Sequence, residues 1–336
     1  MNNEHKVQSK ETPSPSPLER AGVRLTKCVR EALPRSGKLS LWLIKIILPV
    51  SLLVRLLQYY GIIDYLAEYL HPLFNLVGLP GATAIVFITS IFLPLYAAIA
   101  VMTSLAMTMR EATILAVMCL IAHNLIVECA VTRKTGSSFF GMFALRIGMA
   151  FVAAFFLDNV LPAGNKPFMQ AAQIEQLNSL GAVLMAWLYS SLTLIITILI
   201  VVTALMILQR LLSEFKLIDI ISRPLRPLMK VFGLPDSSPF LWIVGNVIGL
   251  AYGGAIMADM VEEGNLTLKD ANTVNHHLAI SHSLLEDTLL FVALGINFWI
   301  IVGTRILFAM LVVWVRRFII YIGRQKNEKN YSATHL

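Results

Sequence analysis

The sequence predicts an all-α polytopic membrane protein made of two repeated halves that lie in opposite orientations. Of its 336 residues, 57% are hydrophobic and only 14% are charged, and the mean hydropathy is +0.72. A soluble domain carries about 25% charged residues, so the composition argues against a soluble protein. The other two observations are a set of apolar runs long enough to cross a bilayer and an ungapped internal repeat.

Eight apolar runs account for the predicted helices. They cover residues 41–60, 82–107, 112–131, 139–161, 180–208, 240–258, 271–293 and 298–315. A helix that spans a bilayer needs roughly 20 apolar residues, so each run is a candidate span. The lipid bilayer is therefore the first predicted partner.

The internal repeat joins residues 121–131 (IAHNLIVECAV) to residues 280–290 (ISHSLLEDTLL) without a gap. The aligned pairs are His123 with His282, Glu128 with Asp287, Gly136 with Gly295 and Arg146 with Arg305. Chance alignment of apolar sequence matches leucine with leucine, but it seldom matches rare ionisable residues. The sequence therefore predicts two related halves.

The repeat divides the chain into five segments. They are a cytoplasmic polar tail with a basic amphipathic segment (1–40), a first repeat (41–161), a linker (162–180), a second repeat (181–317) and a cytoplasmic basic tail (318–336).

The relative orientation of the halves follows from their charges. Segment 61–80 contains no Lys or Arg, whereas the equivalent part of the second half carries Lys216, Arg223, Arg226 and Lys230. Lys and Arg favour the cytoplasmic side, so equivalent segments are predicted on opposite sides of the membrane. This arrangement is an inverted-topology repeat, which is common in transporters.

An inverted repeat requires an odd number of crossings in each half, yet each half has four apolar runs. The second run of each half is the candidate for a break. Pro94 interrupts run 82–107, and run 240–258 contains Gly249, Gly253 and Gly254, which favour a break in the helix. We predict three crossings and one broken or re-entrant helical hairpin per half, with both termini cytoplasmic in a bacterial inner membrane. The alternative is eight plain crossings, which would place segment 210–230 outside.

Two ion pairs, Glu128 with Arg146 and Asp287 with Arg305, are predicted because the two residues of each pair lie at similar depths in the membrane. Glu128 lies eight residues before Gly136 and Arg146 ten after it, so at about 1.5 Å per residue the two differ in depth by roughly 3 Å. Asp287 and Arg305 repeat this pattern. We interpret both pairs as structural clamps, since a buried charge needs a partner; a gate or an ion-coupling pair is the alternative.

Polar residues near the centres of the repeated runs are the candidate substrate or ion pathway, because sites in inverted repeats lie at the midplane. The candidates are His123, Asn124, Glu128, Asn246, His282, Ser283, Glu286 and Asp287. Hydrogen bonding of each histidine to a neighbouring helix is the alternative interpretation.

Other chemistry finds little support. His282 and Glu286 are four residues apart on a helix and could ligate a metal, but one such pair is not a closed set of ligands, so we predict no metal and no cofactor. The chain has no Walker A, GxSxG or HExxH sequence, which indicates that it is not an enzyme. The net charge is +7, and the Lys and Arg residues that produce it are clustered beside apolar runs. This distribution favours cytoplasmic anchoring over nucleic-acid binding.

Residues 275–306 (NHHLAISHSLLEDTLLFVALGINFWIIVGTRI) resemble the nucleoside-recognition, or Gate, domain. That domain occurs in concentrative nucleoside transporters, in the membrane part of the ferrous-iron transporter and in spore-maturation membrane proteins. The resemblance is strongest over 236–315, with a weaker copy over 80–155, and implies a transporter-like core with broken or re-entrant helices. The motif carries over to His282, Glu286, Asp287 and Arg305, and to His123, Glu128 and Arg146 in the first half, where Val127 replaces the equivalent of Glu286.

Two functions follow from these features. The first is a transporter or permease for a small polar solute, nucleoside-like in character and coupled to an ion, with its site between the repeats. The second is a non-transporting membrane scaffold of the spore-maturation type. Both a homo-oligomer and a membrane partner protein are compatible with the sequence.

Overall fold

The computed structural model describes residues 17–168, 179–215 and 217–334, and within these ranges it contains α-helices, two short 3-10 turns and no β-strand. The helices are α1 (Pro17–Tyr59), α2 (Ile62–Asn75), α3 (Ala84–Phe92), α4 (Leu95–Met102), α5 (Met109–Ala122), α6 (Leu125–Lys134), α7 (Phe139–Val160), α8 (Leu180–Glu214), α9 (Leu217–Ser222), α10 (Arg226–Val231), α11 (Pro239–Val247), α12 (Leu250–Glu262), α13 (Leu268–Ser281), α14 (Glu286–Ala293) and α15 (Phe298–Thr334).

Three helical segments in the described ranges are long and apolar enough to cross a membrane. They are Met109–Lys134, Phe139–Val160 and Phe298–Gln325. The all-α membrane class predicted from composition is therefore confirmed.

Helix α1 combines two segments that the sequence separates. It runs from Pro17 to Tyr59, so the basic amphipathic segment and the first apolar run form one helix. Helix α1 packs chiefly against α8, along the length of both helices, and also contacts α4 and α2. Trp187 Nε1 donates a hydrogen bond to Ser51 Oγ at 3.0 Å, and Arg210 Nη2 lies 2.6 Å from Glu31 Oε2.

The centre of the molecule is α5, whose side chains are buried along almost its whole length. It packs against α7 and α3 from the first half and against α13 and α15 from the second. A helix that is apolar on all sides is a helix surrounded by others. The main hydrophobic cluster accordingly continues from α5 into Ile280, Phe291 and Phe308 of the second half.

Both helix breaks predicted from Pro and Gly are present. Helix α3 ends at Phe92, Leu93 is extended, and Pro94 precedes α4. The second break lies between α11 and α12 at Gly249, whose φ of +109° is accessible to glycine at little cost. Each break turns the chain within a run that would otherwise be one helix.

The packing of α12 on α6 depends on Gly254. A Cβ atom at this position would lie 2.3 Å from Val131 Cγ1, and overpacking of this kind costs about 1–3 kcal/mol. We expect Gly254→Ala to lower the free energy of unfolding in detergent by that amount. Combining it with Val131→Ala should recover most of the loss.

Gly148 provides the matched control, because no atom lies within 4 Å of a Cβ added there in the middle of α7. Gly148→Ala should stabilise the protein by about 0.5–1 kcal/mol, since alanine favours a helix over glycine. Equal effects at the two glycines would contradict the close packing of α12 on α6.

Candidate functional site

The candidate site lies where two further helix breaks meet, and neither was predicted. Helix α5 ends at Ala122 and α6 begins at Leu125; α13 ends at Ser281 and α14 begins at Glu286. His123 and His282 are the C-terminal capping residues of α5 and α13. The prediction that the histidines lie within continuous helices is therefore wrong, because the chain leaves the helix at each of them.

Asn124 and Ser283 produce the breaks through their backbone conformation. Their φ angles are +46° and +50°, and in the described ranges they are the two non-glycine residues with positive φ. The amides freed at the breaks find carbonyls on neighbouring broken helices. Asn124 N donates to Ser90 O at 2.7 Å, and Ser283 N donates to Gly245 O at 2.9 Å.

Two buried arginines stabilise the breaks by binding backbone carbonyls at the ends of α5 and α13. Arg146 Nε donates to Ile121 O at 2.7 Å and its Nη2 to His123 O at 2.9 Å. Arg305 makes the equivalent bonds, to Ile280 O at 2.9 Å and to His282 O at 2.5 Å. The carbonyls that a broken helix leaves without partners are thus bound by a charged fork that supplies several donors at once.

The ion pair predicted between Glu128 and Arg146 is present, with Oε2 2.5 Å from Nη1. The pair predicted between Asp287 and Arg305 is not formed in the described part of the chain. Asp287 Oδ2 instead lies 3.4 Å from His123 Nε2. The aspartate side chain is one methylene shorter than that of Glu128, and Arg305 is held by the carbonyls of α13 and by Leu120 O at 3.4 Å.

Four ionisable side chains, which we call the central cluster, meet between the arginines: His123, Glu128, His282 and Asp287. The two Nε2 atoms are 3.4 Å apart and the ring centroids 4.9 Å apart. Glu128 joins both histidines, with Oε1 3.4 Å from His123 Nε2 and Oε2 3.1 Å from His282 Nε2. The four residues are between 0% and 7% exposed, so the central cluster is closed to solvent.

The other predicted pathway residues surround the central cluster. Glu286 Oε1 accepts a hydrogen bond from Tyr96 Oη at 3.2 Å. Asn246 is buried, and its side-chain Nδ2 donates a hydrogen bond to Trp242 O at 2.8 Å. The backbone carbonyl of Asn246 accepts a hydrogen bond from Leu285 N. Asn124 and Ser283 contribute chiefly through their backbones.

A second group of polar contacts across the halves was not predicted. Asn275 Nδ2 donates to Thr135 Oγ1 at 2.7 Å and to Ser137 Oγ at 2.9 Å, and Ser137 Oγ donates to Asn272 at 2.7 Å. These bonds connect α13 to the turn between α6 and α7. The sequence signal for them is weak, since Asn, Ser and Thr near helix ends are ordinary.

A cavity of about 660 Å³ lies away from the central cluster, beside α10, α13 and α15. Its lining is rich in cations, including Lys230, Lys269, Arg316, Arg317 and Arg324. No residue of the central cluster lines it, so it is separate from the candidate site.

The positive φ of Asn124 gives a test of the break. Asn124→Val should lower the free energy of unfolding by about 1–3 kcal/mol, because a β-branched residue is strained in this conformation. Asn124→Gly, the matched control, should stay close to the wild type because glycine adopts positive φ readily. Chemical denaturation in detergent measures both, and equal destabilisation by the two variants would contradict the broken helix.

The helical fold, its candidate spans and its buried ionisable residues define an integral membrane protein. The chain belongs to the nucleoside-recognition (Gate) family, whose model matches residues 40–139. That match lies in the first half, whereas the resemblance read from the sequence is strongest in the second. A relative described as uncharacterized membrane protein YvoD of Bacillus subtilis (strain 168) is 33% identical over 271 residues, which is 80% of this chain and 86% of the relative. No solved structure shows significant similarity to the chain.

Proposed function

We propose that this protein is a transporter or permease for a small polar solute, coupled to an ion, with its pathway at the central cluster. The observation that carries the proposal is the meeting of four buried ionisable side chains from two helix breaks. Ionisable residues at membrane depth are costly and usually mark a pathway. Irregular backbone at that depth is tolerated where it is buried in protein or lines a water-filled cavity.

The proposed architecture is an inverted repeat in a bacterial inner membrane, with six crossings and both termini cytoplasmic. Its support is the recurrence of the same contacts in both halves. Arg146 and Arg305 each bind the carbonyls 25 and 23 residues earlier in the chain. The charge difference between segments 61–80 and 210–230 supports opposite orientations.

The proposed solute is nucleoside-like, a choice supported by the family description. Within the site, the carboxylates and the Nε2 atoms of the histidines offer acceptors to the hydroxyl and amine donors of a polar solute. The helix breaks provide the points at which one half can rock against the other, as alternating access requires. The closed cluster then corresponds to an occluded state, which opens when the halves separate.

Flux into proteoliposomes tests the proposal. Purified protein is reconstituted and given a panel of radiolabelled nucleosides and related polar solutes under a proton or sodium gradient. Uptake by the wild type should exceed uptake by Asp287→Ala, while Asp259→Ala, which alters an exposed carboxylate on α12, should match the wild type. Wild-type uptake no greater than that of Asp287→Ala, for every solute and both gradients, would contradict transport.

The second candidate is a non-transporting scaffold, and the closed state of the central cluster favours it. His282 and Arg305 are each 0% exposed, as expected for a clamp that never opens. Such a protein would act by binding a membrane partner or a second copy of itself. A stable complex recovered from native membranes, together with absent flux, would support the scaffold over the transporter.

A further inference from the structure

We infer that the central cluster binds one divalent transition-metal ion of the zinc class, with His123, His282 and Asp287 as ligands. The inference deepens the proposed function and rests on it, because it identifies the ion that occupies the pathway. The metal-ligating atoms of these three side chains all lie within 4.8 Å of one another. They come from both helix breaks, so sequence spacing along a single helix does not identify them.

Two of the three distances between donor atoms match a tetrahedral zinc site, and the third is within 4.8 Å. At about 2.0–2.1 Å from zinc, two ligands at the tetrahedral angle are separated by roughly 3.3–3.5 Å. His123 Nε2 lies 3.4 Å from His282 Nε2 and 3.4 Å from Asp287 Oδ2. A single ion can therefore contact all three with small adjustments.

The second ring nitrogen of each histidine already has a partner that fixes the tautomer. Nδ1 of His123 lies 3.2 Å from Leu120 O, and Nδ1 of His282 lies 2.7 Å from Leu278 O. A carbonyl oxygen only accepts, so Nδ1 carries the hydrogen, and in the neutral ring the lone pair of Nε2 faces the cluster. Metal-binding histidines are oriented in the same way by backbone carbonyls.

Without a cation, this arrangement places lone pairs against one another. The two Nε2 atoms face each other and two carboxylates, and Asp287 Oδ2 has no hydrogen-bond partner within the described ranges. A buried acceptor without a donor is costly. One ion at the centre would satisfy both Nε2 atoms and Asp287 Oδ2 together.

The charges around the site favour a weakly held, exchangeable ion. The site and its surroundings contain three carboxylates, those of Glu128, Glu286 and Asp287, and two guanidinium groups, those of Arg146 and Arg305, so with neutral imidazoles the net charge is −1. Arg146 is committed to Glu128 and Arg305 to backbone carbonyls. Three ligands leave a coordination position open, as in sites that exchange a water or substrate. Two imidazoles disfavour Mg²⁺ and Ca²⁺, which prefer oxygen.

Metal analysis of the purified full-length protein tests the inference. The protein is stripped with a chelator in detergent and brought to equilibrium with Zn²⁺ by dialysis, and bound zinc is measured by mass spectrometry as the excess of zinc in the protein compartment over the dialysate. We expect one zinc per chain and a rise in the unfolding temperature with zinc concentration. His123→Gln and His282→Gln should weaken binding by about 100-fold or more.

His277→Gln is the matched control. His277 is equally buried in α13, but its Nδ1 contacts Ser281 Oγ at 2.9 Å and its ring packs on Phe232. This variant should retain one zinc per chain. Zinc that survives both cluster substitutions, or that is lost from the control equally, would overturn the assignment.

Cobalt spectroscopy of the wild type tests metal binding at the central cluster even if a variant misfolds. Co²⁺ in the site should give the intense visible absorption of low-coordinate nitrogen and oxygen ligation, and Zn²⁺ should remove it by competition. Absence of that absorption, or of bound zinc in the wild type, would overturn the inference. Binding is measured without flux, so absent flux with intact zinc binding would refute only the transporter, and flux without zinc binding only the metal site.

Discussion

Arg146→Met is expected to lower the free energy of unfolding by about 3–5 kcal/mol, because it leaves the buried Glu128 carboxylate without its charged partner. It also frees the carbonyls of Ile121 and His123, which Arg146 binds at the helix break. Arg146→Lys should lose much of the same stability, since an ammonium group cannot reach both carbonyls and Glu128 in one planar fork. Combining Arg146→Met with Glu128→Leu should recover part of the loss.

Arg110 provides the control for this prediction. It pairs with Asp158 at 2.7 Å, but the side chains are 21% and 26% exposed, and partly solvated pairs are worth about 0–1 kcal/mol. Arg110→Met should therefore cost much less than Arg146→Met in denaturation by urea in detergent. Similar losses for the two variants would show that Arg146 does not hold the break.

Asp287→Asn is expected to reduce flux at least about tenfold while leaving stability unchanged or raised. The buried Asp287 carboxylate forms no ion pair with an arginine in the described ranges, and its close neighbour is His123. An unpaired buried charge is costly, so its neutral isostere relieves that cost. A tenfold change in rate corresponds to about 1.4 kcal/mol, the scale of one lost charge contact.

Measuring both flux and stability in Asp287→Asn separates a functional role from a structural one. Substitution of a residue that clamps two helices lowers the stability of the protein, whereas substitution of a functional group that is retained at the expense of stability does not. Uptake into proteoliposomes and the unfolding temperature are measured on the same preparation, with Asp259→Asn as the exposed control. Normal flux combined with lowered stability in Asp287→Asn would assign the residue to the clamp.

Sequence patterns identified the parts of the fold that depend on local chemistry. Pro94 and Gly249 mark breaks because one lacks an amide donor and the other adopts positive φ. The breaks after His123 and His282 depend on tertiary contacts. They are stabilised by arginines 23 residues away and by carbonyls of α3 and α11. The sequence next to each histidine therefore does not predict the break.

The candidate site shows the same division. Pairing Glu128 with Arg146 by depth succeeded, because both lie on the first helical hairpin. The same counting failed for Asp287, because its side chain is one methylene shorter than that of Glu128 and because Arg305 also donates to Leu120 O. The repeat identified each half of the central cluster, but the 3.4 Å approach of His123 to His282 joins residues 159 apart in the chain, and it required the structure.

The orientation of the halves can be measured by labelling engineered cysteines with a membrane-impermeant maleimide. Cys28, Cys119 and Cys129 are buried, so the native thiols should give little background. Tyr69→Cys on α2 and Arg226→Cys on α10 replace exposed residues of the two equivalent segments. The inverted repeat predicts that Tyr69→Cys reacts in intact cells, whereas Arg226→Cys reacts only after the membrane is permeabilised. Labelling of both positions from one side would contradict it.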